Sequence, residues 1–264
     1  MSRPVGLVVG TGVDGVELLS DARALRITTP FGDVEYLRGL MEGVDTVVLK
    51  RHGEGHVVPP HLINYRANIM ALYMLGAWHV ITTSAVGSLQ PSIEPGSYAL
   101  MGDFLDFTKV RAHTFFETGK VVHTDVTHAY SGALTDVLAD EMSLLNLPVS
   151  TTRGVYVAAE GPRFESPQEV RMYAAMGGSV VGMTGVPEVT LANEAGLEYQ
   201  TIAIVTNYAA GMSGAPLTHQ EVLDAMARAS ASIAMLLRHV VTRVAALPEG
   251  PAAAERRLDF LLKP

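Results

Sequence analysis

A chain of 264 residues that is 48% hydrophobic can build one large core or two small ones, and its net charge of −8 argues against nucleic acid or an anionic membrane as partner. It has no cysteine, which excludes a disulfide framework and a thiol nucleophile. The N-terminal run to Gly10 carries a single basic residue, Arg3, and is too short for a signal peptide or a membrane span, so a cytoplasmic protein is expected.

Residues 5–9 read as a first strand running into Gly10-Thr11-Gly12-Val13-Asp14-Gly15. The glycine spacing matches a dinucleotide fingerprint, but no crossover helix follows, because residues 16–20 are too few and Thr28-Thr29-Pro30-Phe31-Gly32 reads as a turn. What survives is a glycine turn with free backbone N–H groups and the Thr11 hydroxyl, suited to a small anion. Residues 45–50 form a second strand, delivering Arg51 and His52 to a glycine-bearing loop with Glu54 and His56. Arg51-His52 at a strand end suits an oxyanion, the alternative for Arg51 being a surface ion pair. The two histidines are spaced like a helical metal pair, but the glycines between them oppose a helix and no third ligand stands nearby. Helical periodicity spans residues 61–75, with Gly76 as its stop. A third strand, 79–83, then runs into Ser84-Ala85-Val86-Gly87-Ser88. Strand ends near Thr11, Arg51 and Ser84 thus all offer anion donors, and in an α/β sheet strand ends gather at one edge.

Residues 91–130 are strand and loop carrying Asp103, Asp106, His113, His123 and His128, with an amphipathic helix over 134–147 after them. The β-rich run 154–159 leads into Glu160-Gly161-Pro162-Arg163-Phe164-Glu165, and Ser166-Pro167-Gln168-Glu169 has the spacing of a capping box opening a helix to 176. Phe164 and Glu165 therefore stand at a strand-to-helix corner. An aromatic face beside a carboxylate suits a flat heterocycle with an N–H on its edge, while the plainer alternative is a core Phe and a solvated first-turn acid. A short strand at 179–182 precedes Met183-Thr184-Gly185-Val186-Pro187-Glu188 and a short helix to 195. Strand 199–206 ends at Asn207, and Thr218-His219-Gln220-Glu221 is a second capping box opening a helix to about 244. The expected fold is a single α/β domain, residues 1–247, with a central mixed β-sheet flanked by helices. Residues 248–264 form a tail that packs on a neighbouring subunit or frays.

Together, Gly10-Thr11-Gly12, Arg51-His52-Gly53, Asn64-Tyr65-Arg66-Ala67-Asn68, Gly87-Ser88-Leu89, Glu160-Gly161-Pro162-Arg163-Phe164, Met183 to Val189 and Thr206-Asn207-Tyr208 resemble the trimeric purine nucleoside phosphorylase family. Within it the chain is most similar to the methylthioadenosine and methylthioinosine phosphorylase branch, over residues 5–245. The resemblance implies phosphorolysis of a purine nucleoside to free purine and a ribose 1-phosphate, with phosphate as co-substrate and neither metal nor organic cofactor. It assigns phosphate binding to Thr11, Arg51, His52, Ser84, Ala85 and Thr184, and places Phe164 on the base and Met183 against the ribose. It gives catalytic roles to Asn207, His56 and Glu165, and implies a homotrimer, or a dimer of trimers, in which His123 reaches a neighbour's nucleoside pocket.

At the specificity positions the chain departs from the methylthioadenosine branch. That branch has Asp where this chain has Asn207 and Ala209, Ser where it has Glu165, and an apolar residue where it has His219. Glu165, Asn207 and His219 look instead like the 6-oxopurine nucleoside phosphorylases, and imply inosine and guanosine as substrates. Methylthioinosine or methylthioadenosine is the alternative, followed by a nucleoside hydrolase or a non-catalytic nucleoside-binding module. Glu54 stands where an Arg is common in relatives.

Overall fold

The computed structural model describes residues 3–10, 18–213, 218–248, 250 and 257–262, without the side chain of His219. Strand β1 (Val5–Val9) is buried along its whole length and lies parallel between β4 (Val44–Lys50) and β5 (His79–Ser88). Continuous burial is what a parallel strand covered on both faces requires. Between β1 and β4 the chain makes an antiparallel hairpin, β2 (Ser20–Thr29) and β3 (Gly32–Met41), which extends the sheet beyond β4. The turn at Thr29–Gly32 was expected, but the two strands were not read. They form the sheet's outer edge, are largely exposed, and carry polar residues such as Arg23, Arg26, Asp33 and Glu35 instead of an apolar alternation.

The remaining strands are β6 (Tyr98–Phe107), β7 (Val149–Ala159), β8 (Val180–Gly182) and β9 (Glu198–Tyr208). The order among the described residues is β2-β3-β4-β1-β5-β8-β7-β6-β9, and β9 also pairs with β5, so the last five strands close a ring. Parallel and antiparallel pairs are both present, which makes this the expected mixed sheet.

Among the described residues five α-helices cover this sheet: α1 (Tyr65–Leu75), α2 (Gly132–Leu144), α3 (Pro167–Ala175), α4 (Gly185–Ala195) and α5 (His219–Ala245). Strand pleating divides four of them into two layers, while Val170 and Tyr173 of α3 cluster with Leu89, Val157 and Val181. From β1, Val8 joins the cluster of Ile69, Met70 and Tyr73 of α1 and Val189, Leu191 and Ala192 of α4. Val5, Leu7 and Val9 point the other way, to Leu134 and Leu138 of α2 and to Ile233, Leu236, Leu237, Val240 and Val244 of α5. Helix α1 starts later than its periodicity implied, because Asn64 caps it by accepting from the Ala67 N–H at 3.1 Å, and the residues before it form a 3-10 turn, Pro60–Leu62. Both expected capping boxes are present, Ser166 with Glu169 and Thr218 with Glu221. In the tail, Leu258 is fully buried, Asp259 accepts from the Tyr73 hydroxyl at 2.7 Å, and Phe260 stacks on Phe116. That sets this part of the tail on its own chain, where the sequence left a neighbouring subunit or a frayed end as the choices.

Candidate active site

Because β1, β4 and β5 are parallel, their C-terminal ends meet at one edge of the sheet. The register aligns Val9 with Lys50 and Val8 with Thr82, which sets Gly10, Arg51 and Ser84 side by side. The Arg51 N–H donates to the Val9 carbonyl at 3.0 Å, and the Gly10 N–H donates to the Thr83 hydroxyl at 3.2 Å. A cavity of about 570 Å³ opens at this edge. Its lining brings together Arg51, His52, His56, Ser84, Ala85, Phe164, Glu165, Met183, Thr184, Asn207 and Ala209, all named from the sequence. Thr11 and the side chain of His219 lie outside the described residues. His123 is exposed on the loop before Tyr130 and does not line this chain's cavity.

Arg51 is not the surface group that one reading of the sequence allowed. Its side chain is 2% exposed and paired two-pronged with Glu188, Nε to Oε2 and Nη2 to Oε1, both at 2.8 Å. Nη1 donates to the Thr83 carbonyl at 3.0 Å. Burial alone would lower the Arg51 pKa, but the Glu188 carboxylate outweighs it and holds the guanidinium charged. For His52, burial and the Arg51 charge together lower the pKa to about 4, so the ring is neutral at pH 7. Its Nδ1 lies 2.8 Å from the Val58 carbonyl, so Nδ1 carries the proton and Nε2 is an acceptor. His56 is exposed, with its ring 4.1 Å from that of His52. Glu54 points away to an exposed pair with Lys50 at 2.9 Å and does not line the cavity.

The hydroxyl donors share a support that the sequence did not reveal. Tyr156 of β7, fully buried, accepts from the Thr184 N–H at 3.3 Å and lies 3.1 Å from the Ser84 hydroxyl. With Tyr156 donating to Ser84, the protons of Ser84 and Thr184, whose oxygens are 3.3 Å apart, are left for an anion.

Asn207 is paired across β5–β9 with Gly87, three residues beyond Ser84 and so about 10 Å along the strand. Its carboxamide oxygen accepts from the Thr206 hydroxyl at 2.6 Å and its nitrogen donates to the Tyr208 carbonyl at 2.8 Å, leaving one N–H. Phe164 is 36% exposed, a half-open aromatic face, whereas Glu165 is 8% exposed and burial raises its pKa above the usual carboxylate value. So Glu165 is not the solvated first-turn acid. Gly161 holds this corner against the loop of Met183: it has a φ of +69°, and a Cβ there would come within 2.6 Å of the Met183 sulfur.

Arg111, absent from the sequence reading, ties the two loops together. Its side chain is 1% exposed. It donates to the carbonyls of Glu160 at 2.7 Å and Ala159 at 3.3 Å, just before the Phe164 corner, and to that of Val186 at 2.6 Å, just after Thr184. It also donates to the Tyr65 hydroxyl at 3.2 Å. No local signal marks such a residue, because its acceptors, mostly backbone carbonyls, lie far away in sequence. Asp106 and His113 lie 3.7 Å apart in a half-exposed pair that does not line the cavity.

The site can hold an anion on hydroxyl and backbone donors at one end and a flat heterocycle between Phe164, Glu165 and Asn207 at the other. Comparison with known proteins gives the family. Residues 4–242 match the Phosphorylase superfamily. The chain is 43% identical over 240 residues to the 6-oxopurine nucleoside phosphorylase of Pyrococcus furiosus, covering 88% of this chain and 90% of that one. It is 42% identical over 226 residues to the "Probable S-methyl-5′-thioinosine phosphorylase" of Methanothermobacter thermautotrophicus, covering 84% and 78%. Among solved structures, methylthioadenosine phosphorylase from Schistosoma mansoni in complex with adenine superposes with a TM-score of 0.90 at 30% identity, covering 98% of this chain and 97% of that one.

Proposed function

The chain belongs to the phosphorylase superfamily, and from that premise we propose that it is a purine nucleoside phosphorylase acting on 6-oxopurine nucleosides such as inosine and guanosine. The observation that carries the reading is the meeting of Glu165 and Asn207 in one cavity with the hydroxyls of Ser84 and Thr184. A 6-oxopurine presents a donor at N1 and acceptors at O6 and N7. Ionised Glu165 accepts from N1–H, and the free N–H of Asn207 donates to O6 or N7. A 6-aminopurine reverses the pattern at N1 and C6 and leaves Glu165 facing a bare acceptor.

In the reaction a phosphate oxygen bonds to C1′ as the C1′–N9 bond breaks. The bonding pair leaves with the purine, and the Asn207 N–H relieves the charge that develops there. The transition state is oxocarbenium-like, so the anion held by Arg51, Ser84, Thr184 and the Ala85 N–H both attacks and stabilises it. His56 completes the phosphate end, Met183 lies against the ribose and Phe164 stacks on the base. Phosphate is the one co-substrate, and the chemistry needs neither metal nor organic cofactor. The working assembly is a cytoplasmic homotrimer, or a dimer of trimers, in which His123 completes a neighbour's nucleoside pocket.

A second reading concerns the 5′ end. The same cavity has an apolar wall of Val57, Val58, Pro59, Pro60 and Val222, which suits a 5′-methylthio group, whereas the polar His219 expected there suits a 5′-hydroxyl. Product analysis with inosine, guanosine, methylthioinosine and methylthioadenosine, each with and without phosphate, decides both questions. Base release from inosine in phosphate-free buffer would overturn phosphorolysis, equal turnover of methylthioadenosine would overturn the 6-oxopurine assignment, and the inosine-to-methylthioinosine ratio of kcat/KM reads the 5′ preference.

A further inference from the structure

The buried network behind the anion site contains a carboxylate to which the reaction above gives no part. Glu188, on α4, is 0% exposed. Its Oε1 accepts from Arg51 Nη2 at 2.8 Å and from the Tyr199 hydroxyl at 2.7 Å, while Oε2 accepts from Arg51 Nε at 2.8 Å. Tyr199 is itself fixed by Thr82 and Thr201, at 3.1 and 3.2 Å. A guanidinium has five N–H groups. Glu188 takes two of them and the Thr83 carbonyl a third, which leaves two for an anion in the cavity that Arg51 lines. The pair is electrically neutral, and His52 beside it is uncharged at pH 7, so an incoming phosphate meets a cation already compensated.

We propose that Glu188 is a positioning residue that sets the phosphate affinity of the site: it occupies one edge of the Arg51 guanidinium and compensates its charge, so that phosphate is held by directed donors and not by an open charge. The inference rests on the phosphorylase reading and adds to it a trade between stability and anion affinity. A buried arginine without its carboxylate is costly to the free protein, and an arginine fully compensated is a weaker ligand for phosphate. Intermediate affinity keeps the phosphate oxygen available as a nucleophile, since binding that stabilises only the ground state does not raise kcat.

The sign of the effect separates this from a purely structural role. Glu188→Gln keeps the shape and removes the charge. Unit charges a few ångströms apart in a protein site interact strongly enough that the phosphate KM is expected to fall at least about tenfold. With it, kcat should fall, and inorganic phosphate should raise the melting temperature of the variant more than that of the wild type. Glu188→Asp retains the charge and should not lower the phosphate KM. If Glu188→Gln raises the phosphate KM, Glu188 only orients Arg51 and the proposal is overturned. Tyr199→Phe tests the same balance in protein with its ion pair intact. Loss of the hydroxyl donor leaves Oε1 to Arg51 alone, so the phosphate KM should rise a few-fold, and a KM that is unchanged or lower overturns the proposal even if Glu188→Gln cannot be made. The wild-type control separates the two levels: phosphate-independent release of hypoxanthine from inosine would strike the phosphorylase reading, whereas phosphate-dependent wild type with no gain in Glu188→Gln would strike only the role of Glu188.

Discussion

The Thr206 hydroxyl donates to the Asn207 carboxamide oxygen at 2.6 Å, and this bond, with that from the Asn207 nitrogen to the Tyr208 carbonyl, fixes which way the amide faces. With the oxygen engaged, Asn207 can offer the base only a donor. Asn207→Asp replaces that donor by a charged acceptor and is expected to lower kcat/KM for inosine by about a hundredfold or more while creating measurable activity on adenosine. Thr206→Val removes one of the two bonds that hold the amide and should produce a smaller loss of the same kind. Parallel kcat/KM measurements on the two nucleosides check both.

Glu165 carries a pH dependence whose sign follows from its burial, which raises its folded-state pKa above the ordinary value of 4.5. The folded protein thus binds this proton more tightly than the unfolded chain. The contribution favours folding at low pH and is lost as pH rises through the folded pKa, leaving a buried charge that destabilises the free protein at pH 7. Glu165→Gln should therefore raise the melting temperature at pH 7, with the gain shrinking as pH falls toward 4, while kcat/KM for inosine drops. Equal stabilisation at both pH values would count against it.

Ser84 and Thr184 share Tyr156, so their contributions should be coupled. A hydrogen bond to a charged group contributes about 1.5–3 kcal/mol, so Ser84→Ala and Thr184→Ala are each expected to raise the phosphate KM at least about tenfold. The double variant should lose less than the sum of the two, because both act through one arrangement. Phosphate saturation curves at fixed inosine provide the measurement.

Arg111 spans the carbonyls of Glu160 and Val186, and lysine cannot, having one ammonium where arginine has a planar fork. Arg111→Lys is expected to raise the KM for inosine and for phosphate together and to lower kcat by about tenfold or more, since about 1 Å of misplacement is enough for that. A variant impaired for one substrate alone would show that the two loops are positioned independently.

The trimer is tested by complementation. His123→Ala and Arg51→Met should each be nearly inactive alone. When the two chains are refolded together, activity should return, because some pockets then combine an intact Arg51 with a neighbour's intact His123. Light scattering that finds an active monomer would dismiss the assembly.

Much of this site is written locally in the chain. The strand ends at Gly10, Arg51 and Ser84, the corner at Phe164-Glu165 and the capping boxes of Ser166 and Thr218 all depend on residues within a few positions of one another, and their polar types follow from the unmet hydrogen bonds of turns and helix ends. Parallel strands then bring those ends to one edge, so a reading by strand ends finds the cavity. The exposed hairpin β2–β3 escaped that reading because an edge strand in water needs no apolar alternation. What only the tertiary structure decided is which polar partner each buried group takes. Arg51 meets Glu188 across 137 positions and Arg111 meets Val186 across 75, and in both cases the choice is made by the requirement that a buried charge or carbonyl be satisfied by whatever the packed layers bring within reach.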